Sequence, residues 1–190
     1  MTSLNSDNYK GKILLATPGM GDPRFNKAVI YICGHDENGA MGIIINKSQD
    51  GLHISDLLDR IGITGDIRIA DGPVLSGGPV DIDRGFVLHS QDYFKQDSSL
   101  ILSDTLSLTS TKDILEALVT DAAPQRAMLA VGYAGWDGGQ LEAELAQNAW
   151  LITQAEDALI FGEDLDGKWR KALQDMGIDP AALAASGGRA

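Results

Sequence analysis

The chain has 190 residues, 44% of them hydrophobic and 22% charged, the balance of one ordinary globular domain that can bury a core without a metal or a disulfide. Acids outnumber bases 27 to 15, for a formal net charge of -12, and no basic cluster interrupts them, so direct nucleic-acid binding is disfavoured. One cysteine excludes an internal disulfide, the polar start MTSLNSDNYKGK reads as no signal peptide, and no apolar run approaches the roughly 20 residues of a spanning helix; the expectation is a cytoplasmic protein without a membrane segment.

Residues 1–11 are expected to fray, residues 12–178 to form the domain, and residues 179–190 to form a frayed tail. KILLAT (Lys12 to Thr17) predicts a first strand, broken by PGMGDP. Lys27 to Cys33 and Ala40 to Asn46 predict the second and third strands, rich in β-branched residues. Asn38-Gly39 between them is a two-residue turn signal of the kind that needs positive φ. A helix is predicted over Leu52 to Ile61, with Ile54, Leu57, Leu58 and Ile61 on one face. Short strands are predicted at Ile67 to Ala70, Gly85 to His89, Ser99 to Leu102 and Leu106 to Thr109. Ser110 and Asp113 resemble a capping box opening a helix through Val119. Arg126 to Tyr133 predicts a central strand. Asp137 and Gln140 frame another helix start, with Leu141, Leu145 and Ala149 on one face. Ala158 to Phe161 predicts a late strand. Leu165 to Met176 predicts a last helix with a Leu165, Trp169, Leu173 and Met176 stripe, closed by Gly177. Strands come in runs without regular alternation with helices. The fold class is therefore α+β, one domain with a mixed or strongly bent sheet.

The hairpin sets the chemistry of the first half. With Asn38-Gly39 as the turn, Tyr31, Cys33, His35, Gly42, Ile44 and Asn46 share one face, and Ile30, Ile32, Ile43 and Ile45 the other. Cys33 and His35 then stand about 6.6 Å apart along one strand, too far for direct contact. Asp36 and Glu37 close by disfavour a thiolate. Cys33 is read first as an unreactive core sulfur, with a nucleophile or redox-responsive thiol beside His35 as the alternative.

Four stretches now carry a resemblance: LLATPGMGDPRF (Leu14 to Phe25), VIYICGHDENGAMGIIINK (Val29 to Lys47), GGPVDIDRGFVLH (Gly77 to His89) and GYAGWDGGQLEAELAQNAWL (Gly132 to Leu151). Their order and spacing resemble the AlgH/YqgE family of bacterial proteins over nearly the whole chain. The resemblance implies a compact α+β domain whose sheet curls towards a barrel, with flanking helices. The family name reflects a regulatory role in alginate production, and some members are described as transcriptional regulators. This chain shows no helix-turn-helix and no basic face, so any such role here is expected to be indirect. It departs from the family at Gly34, where an acidic residue is expected before the histidine; a proton-transfer role for that carboxylate has no bearer here.

His35, His53 and His89 lack the close spacing of a metal site; convergence of His35, His89 and Asp36 is geometrically open, but no metal and no cofactor is assigned. GWDGGQLE could cradle an anion at a helix start, yet Asp137 and Gln140 use the free amides and Glu142 and Glu144 repel phosphate. Serine-hydrolase, zincin and dinucleotide signatures are absent from the sequence. The polar and small residues of the matching stretches remain as binding candidates: Asp22, His35, Asn46, Gly77, Gly78, Arg84, His89, Tyr133, Trp136, Gln140 and Glu142. Turn formation and loop hydrogen bonding would account for several of them. Trp150 and Trp169 are core candidates, and Trp136, between glycines, is expected to be an exposed anchor. The reading is a regulatory module without catalysis that binds a small ligand or protein partner. A thiol-dependent enzyme or redox sensor using Cys33 and His35 is the alternative.

Overall fold

A computed structural model describes residues 8–186. Ten strands form one curled sheet, a half-barrel: β1 (Lys12–Ala16), β2 (Val29–Asp36), β3 (Gly39–Ile44), β4 (Ser48–His53), β5 (Pro73–Ser76), β6 (Val80–Ser90), β7 (Ser99–Ile101), β8 (Leu106–Thr109), β9 (Ala127–Asp137) and β10 (Trp150–Gln154). The order is β10-β1-β2-β3-β9-β6-β8-β7, with β4 and β5 beside it. All pairings are antiparallel except β5 with β9. Six helices flank the sheet: α1 (Ile54–Arg60), α2 (Lys112–Ala117), α3 (Gln140–Ala146), α4 (Asp157–Ile160), α5 (Lys168–Asp175) and α6 (Pro180–Ser186). The mixed α+β class and the curled sheet agree with the sequence.

β9 is the hub. Its last four residues pair with β3, while its first half lies between β5 and β6. The GYAG segment lets the backbone of Gly77 to Val80 press against it there. A Cβ on Gly77 or Gly78 would run into the backbone of Gly132 or Tyr133, so only glycine fits this crossing. Three apolar clusters follow from the layering. Ile13, Tyr31, Cys33 and Ile43 pack with Trp169 and Leu173 of α5 on one sheet face. Leu14, Ile30, Ile32 and Ile44 pack with Trp136, Leu141 and Trp150 on the other. Ile54, Leu58, Ile114 and Leu118 cover the β5 and β6 end of the sheet.

The hairpin differs from its expected register. Asp36 pairs with Gly39, so Glu37 and Asn38 make the turn, and Cys33 is an extra residue in a β-bulge between the Ile32–Gly42 and Gly34–Met41 pairs. A bulge shifts side-chain parity by one. Cys33 therefore joins the α5 face, whereas His35 reaches Tyr9 and Glu142 on the α3 face. The expected shared face for the thiol and the imidazole is overturned. Ile44 likewise joins Ile30 and Ile32, and Ile43 and Ile45 join Tyr31 and Cys33. Gly42 makes room for Ile30 and Ile32 rather than for His35.

Other elements move for local reasons. Leu52 and His53 end β4, so the first helix starts at Ile54. Ile67 to Ala70 is irregular, with Arg68 N–H bonded to the Leu118 carbonyl and Ile69 buried among α1 and α2. Pro73–Ser76 and Ser48–His53 are strands that carry no alternating pattern. Ala158 to Phe161 is helical, within α4 and its C-cap. α3 stops at Ala146, and Asn148 takes a positive φ of 56° that turns the chain into β10. Thr111 and Gly139 occupy the N-caps without side-chain cap bonds; of the two expected capping boxes only one half forms, Gln140 Oε1 accepting from Asp137 N–H. α5 does end as foreseen: Gly177 at φ 75° lets its own N–H reach Gln174 O, and Ile178 N–H reach Leu173 O. Beyond it, Pro180–Ser186 forms α6, with Leu183 against the core, where a frayed tail was expected. The expected fraying of residues 1–7 lies outside the described residues, but Tyr9 and Gly11 are bonded to β2.

Candidate functional site

Val80 stands at the mouth of the β6–β9 crossing and separates two hollows that share it, Gly135 and Trp136 as walls. The larger hollow has a volume near 790 Å³. Its floor is apolar, formed by Met41, Phe86, Leu108 and Tyr133. Tyr133 meets Phe86 edge to face at 5.8 Å, and the Arg84 guanidinium lies over the Phe86 ring at 5.2 Å while donating to Ser110 Oγ at 3.2 Å. The smaller hollow, about 300 Å³, lies between α3, β10 and the loop after β1. Met20, Phe25 and Trp150 line it, with Asp22 and Arg24 at its rim.

One carboxylate organises this smaller lobe. Glu144 Oε2 accepts the indole N–H of Trp136 at 2.9 Å and of Trp150 at 2.7 Å. Its Oε1 accepts the Gln140 amide at 2.9 Å, and Gln140 Oε1 in turn accepts Asp137 N–H at 3.0 Å. Gln140 and Glu144 are one helical turn apart, so α3 presents both on one side. At the rim, Asp22 accepts Arg24 through a fork of three side-chain bonds, the shortest 2.6 Å, and these bonds lower the Asp22 pKa and raise that of Arg24.

His35 is among the residues lining the larger hollow, with Arg84, Tyr133 and Trp136. Its side chain is 3% exposed, and its Nε2 sits 2.6 Å from Glu142 Oε1. Tyr9 N–H donates to Nδ1 at 3.2 Å, which leaves the ring proton on Nε2 to be given to Glu142. Trp136 is buried at 7% exposure, so it is a wall of the lobe and not the protruding anchor expected of it.

The remaining candidates stand apart. Asn46 clamps two strands, accepting from Val29 N–H and donating to Lys27 O, both at 2.8 Å. Gly77 and Gly78 serve the backbone crossing. His89 is fully buried at the far end of β6, bonded to Ser90 O and Thr109 Oγ1, and burial lowers its pKa. It does not join His35 and Trp136. Cys33 is buried at 1% exposure, and desolvation pushes its thiol up to about 12. Such a thiol is not a nucleophile near neutral pH. Among the described residues no group of three or more His, Cys, Asp or Glu side chains is placed to hold a metal ion. A separate cavity of about 540 Å³ sits between Ile54, Pro73, Met128, Phe161 and Leu165, with Arg126 on its edge bound to Asp157 at 2.8 Å.

Sequence reasoning missed Glu144, Trp150, Phe25 and Val80 as parts of the site. The i,i+4 spacing of Gln140 and Glu144 was the available signal. The meeting of Trp136 and Trp150 was not, because it depends on β10 being a strand.

A family model described as AlgH-like matches residues 13–181. A UPF0301 protein of Ruegeria pomeroyi is 50% identical over 181 residues, covering 95% of this chain and 98% of its own. One from Paracoccus denitrificans is 46% identical over 187 residues, covering 97% and 98%. The solution structure of the AlgH protein from Pseudomonas aeruginosa matches with a TM-score of 0.76 at 35% identity, over 100% of both chains. A crystal structure of a Corynebacterium diphtheriae protein shares the fold, with a TM-score of 0.71 at 19% identity over 91% of this chain and 90% of that one.

Proposed function

The chain belongs to the AlgH-like family, and from that premise we propose that it is a non-catalytic binding module whose small-molecule ligand seats in the groove divided by Val80. The observation that carries this reading is the Glu144 lobe. Two indoles and an amide hold a carboxylate in one position beside open volume walled by both apolar and polar side chains. Concave apolar walls with a few fixed polar groups are the usual make-up of a ligand site. Catalysis has less support, since the thiol is buried and both nitrogens of His35 are engaged. An unpaired cysteine and the acidic surface suit the bacterial cytoplasm, where ligand binding would act as a regulatory signal. No helix among the described residues is long and apolar enough to cross a membrane.

The test is ligand-detected NMR on a small-molecule extract of bacterial cells, run with the wild-type chain and with Val80→Arg. Val80 is 37% exposed and borders both lobes, so a long charged side chain fills the groove without entering the core. Compounds that bind the wild type and not the variant are expected. Identical spectra for the two proteins would remove the reading.

A further inference from the structure

We infer that the Glu144 lobe selects a primary ammonium compound carrying a small apolar or aromatic body; this deepens the groove reading and rests on it. An ionised carboxylate offers about four lone-pair positions. Trp136, Trp150 and Gln140 occupy three of them. All three donors are neutral, and no salt bridge reaches Glu144 among the described residues. The charged residues lining the lobe are Glu144, Asp22 and Arg24, one cation against two anions. Arg24 is spent on Asp22, with its fork turned to that carboxylate. The lobe therefore keeps one uncompensated negative charge and one open acceptor position.

An ammonium group satisfies both at once. Its N–H can take the fourth position on Glu144, and a charge-assisted bond of this kind is about twice as strong as a neutral one. The rest of the lobe suits what such a group would carry. Phe25 and Trp150 meet edge to face at 5.7 Å, and Met20 completes an apolar wall. The Phe25 ring already carries the Arg24 guanidinium at 5.8 Å, so the aromatic wall left to favour a ligand cation is Trp150. An anion would meet Glu144 and Asp22 with no free cation in the lobe to answer it. A neutral alcohol could take the open position but leaves the charge unanswered.

The experiment is isothermal titration at pH 7 with three probes of one shape: 2-phenylethylamine, 2-phenylethanol and phenylacetate. Each is titrated into wild type, Glu144→Gln and Val80→Arg. Glutamine keeps an oxygen for the indoles, and circular dichroism with thermal melting checks that the variant folds. The amine is expected to bind wild type at least ~10-fold tighter than the alcohol, and phenylacetate weakest. Glu144→Gln is expected to bring the amine to the level of the alcohol, and Val80→Arg to weaken the amine and the alcohol. Equal binding of amine and alcohol to wild type, with both lost in Val80→Arg, overturns the ammonium assignment and leaves the groove reading standing. If none of the three binds in a way that Val80→Arg changes, the ammonium assignment is overturned, and the extract experiment above decides the groove separately. Should the variant Glu144→Gln unfold, the amine-to-alcohol ratio on wild type still decides the matter.

Discussion

Trp136 and Trp150 meet edge to face, with ring centroids 5.9 Å apart and planes at 75°, because both indoles aim their N–H groups at one oxygen of Glu144. That shared acceptor couples the last strand of the sheet to its hub strand through a seven-residue helix. Removing it strands two partly buried donors at once. Glu144→Ala is expected to lower stability by about 2–6 kcal/mol, since each orphaned donor costs about 1–3 kcal/mol. Glu144→Gln is expected to cost less than half of that. Urea denaturation of the two variants followed by far-ultraviolet circular dichroism measures both, and a cost near zero for Glu144→Ala would mean that the indoles do not depend on the carboxylate.

Cys33 is expected to stay silent towards alkylating reagents in the folded chain. Its thiol is raised to about 12 by burial, so at pH 8 only about one molecule in ten thousand carries a thiolate. The pH linkage has a definite sign. A pKa raised from 9.0 to about 12 favours the native state below pH 9 and loses that contribution as pH climbs towards 12. Cys33→Ala should therefore flatten part of the alkaline fall in stability, and iodoacetamide should label wild type only in denaturant. Rapid labelling of native protein at pH 7 would contradict this placement.

Lys168 carries the opposite sign. The residue is 3% exposed, its ammonium donates to Ile160 O at 2.6 Å and Ile45 O at 3.3 Å, and desolvation lowers its pKa from 10.5 to about 8. Between those values the unfolded chain binds the proton and the folded chain does not, so this group adds stability as pH rises from about 8 to 10.5. Below pH 8 the charged form must be held inside the protein, at a cost on the order of a few kcal/mol. Lys168→Met is expected to remove that upward slope, although it leaves two carbonyls short of a donor. Denaturation midpoints of both proteins at pH 7, 8, 9 and 10 give the difference, and parallel curves would show that the lysine is not buried as described.

Gly42 faces Ile30 so closely that a Cβ there would lie 2.5 Å from Ile30 Cγ2 and 3.1 Å from Tyr31 O. Gly42→Ala is expected to cost about 1–3 kcal/mol through overpacking. Gly34→Ala in the same hairpin meets open space and is expected to be far milder. Thermal melting of the pair distinguishes them, and it tests the bulged register directly, because the unbulged register places Gly42 opposite His35.

These contrasts show what local pattern can and cannot carry. Apolar or β-branched runs marked β1, β2, β3 and β8, and helical spacing marked α1 and α5, because each buries one continuous face. The strands β4, β5 and β10 were not legible. Their pairing is set by partners distant in sequence, and Asp50-Gly51 or Pro73 argue locally for a turn. The bulge at Cys33 was hidden for a different reason. It leaves composition unchanged and alters only parity, yet it decides that thiol and imidazole point to opposite sides of the sheet. At the site, Trp136, Gln140 and Asp22 were legible as residues that core packing does not require. Glu144 was read only as a charge that repels phosphate, since a carboxylate looks the same in sequence whether it faces water or two indoles.

The central claim is that the carboxylate shared by Trp136 and Trp150 floors a ligand site. Its most direct test is the set of three indole N–H signals in a ¹H–¹⁵N spectrum, assigned by Trp→Phe substitution and followed as 2-phenylethylamine is added. Trp169 is an internal control, because its indole donates to Ala16 O at 2.9 Å on the opposite side of the sheet. The expected result is a saturable shift of the Trp136 and Trp150 signals with Trp169 unmoved. Signals that all stay in place, or a Trp169 signal that moves with the other two, would contradict the assignment of the Glu144 lobe.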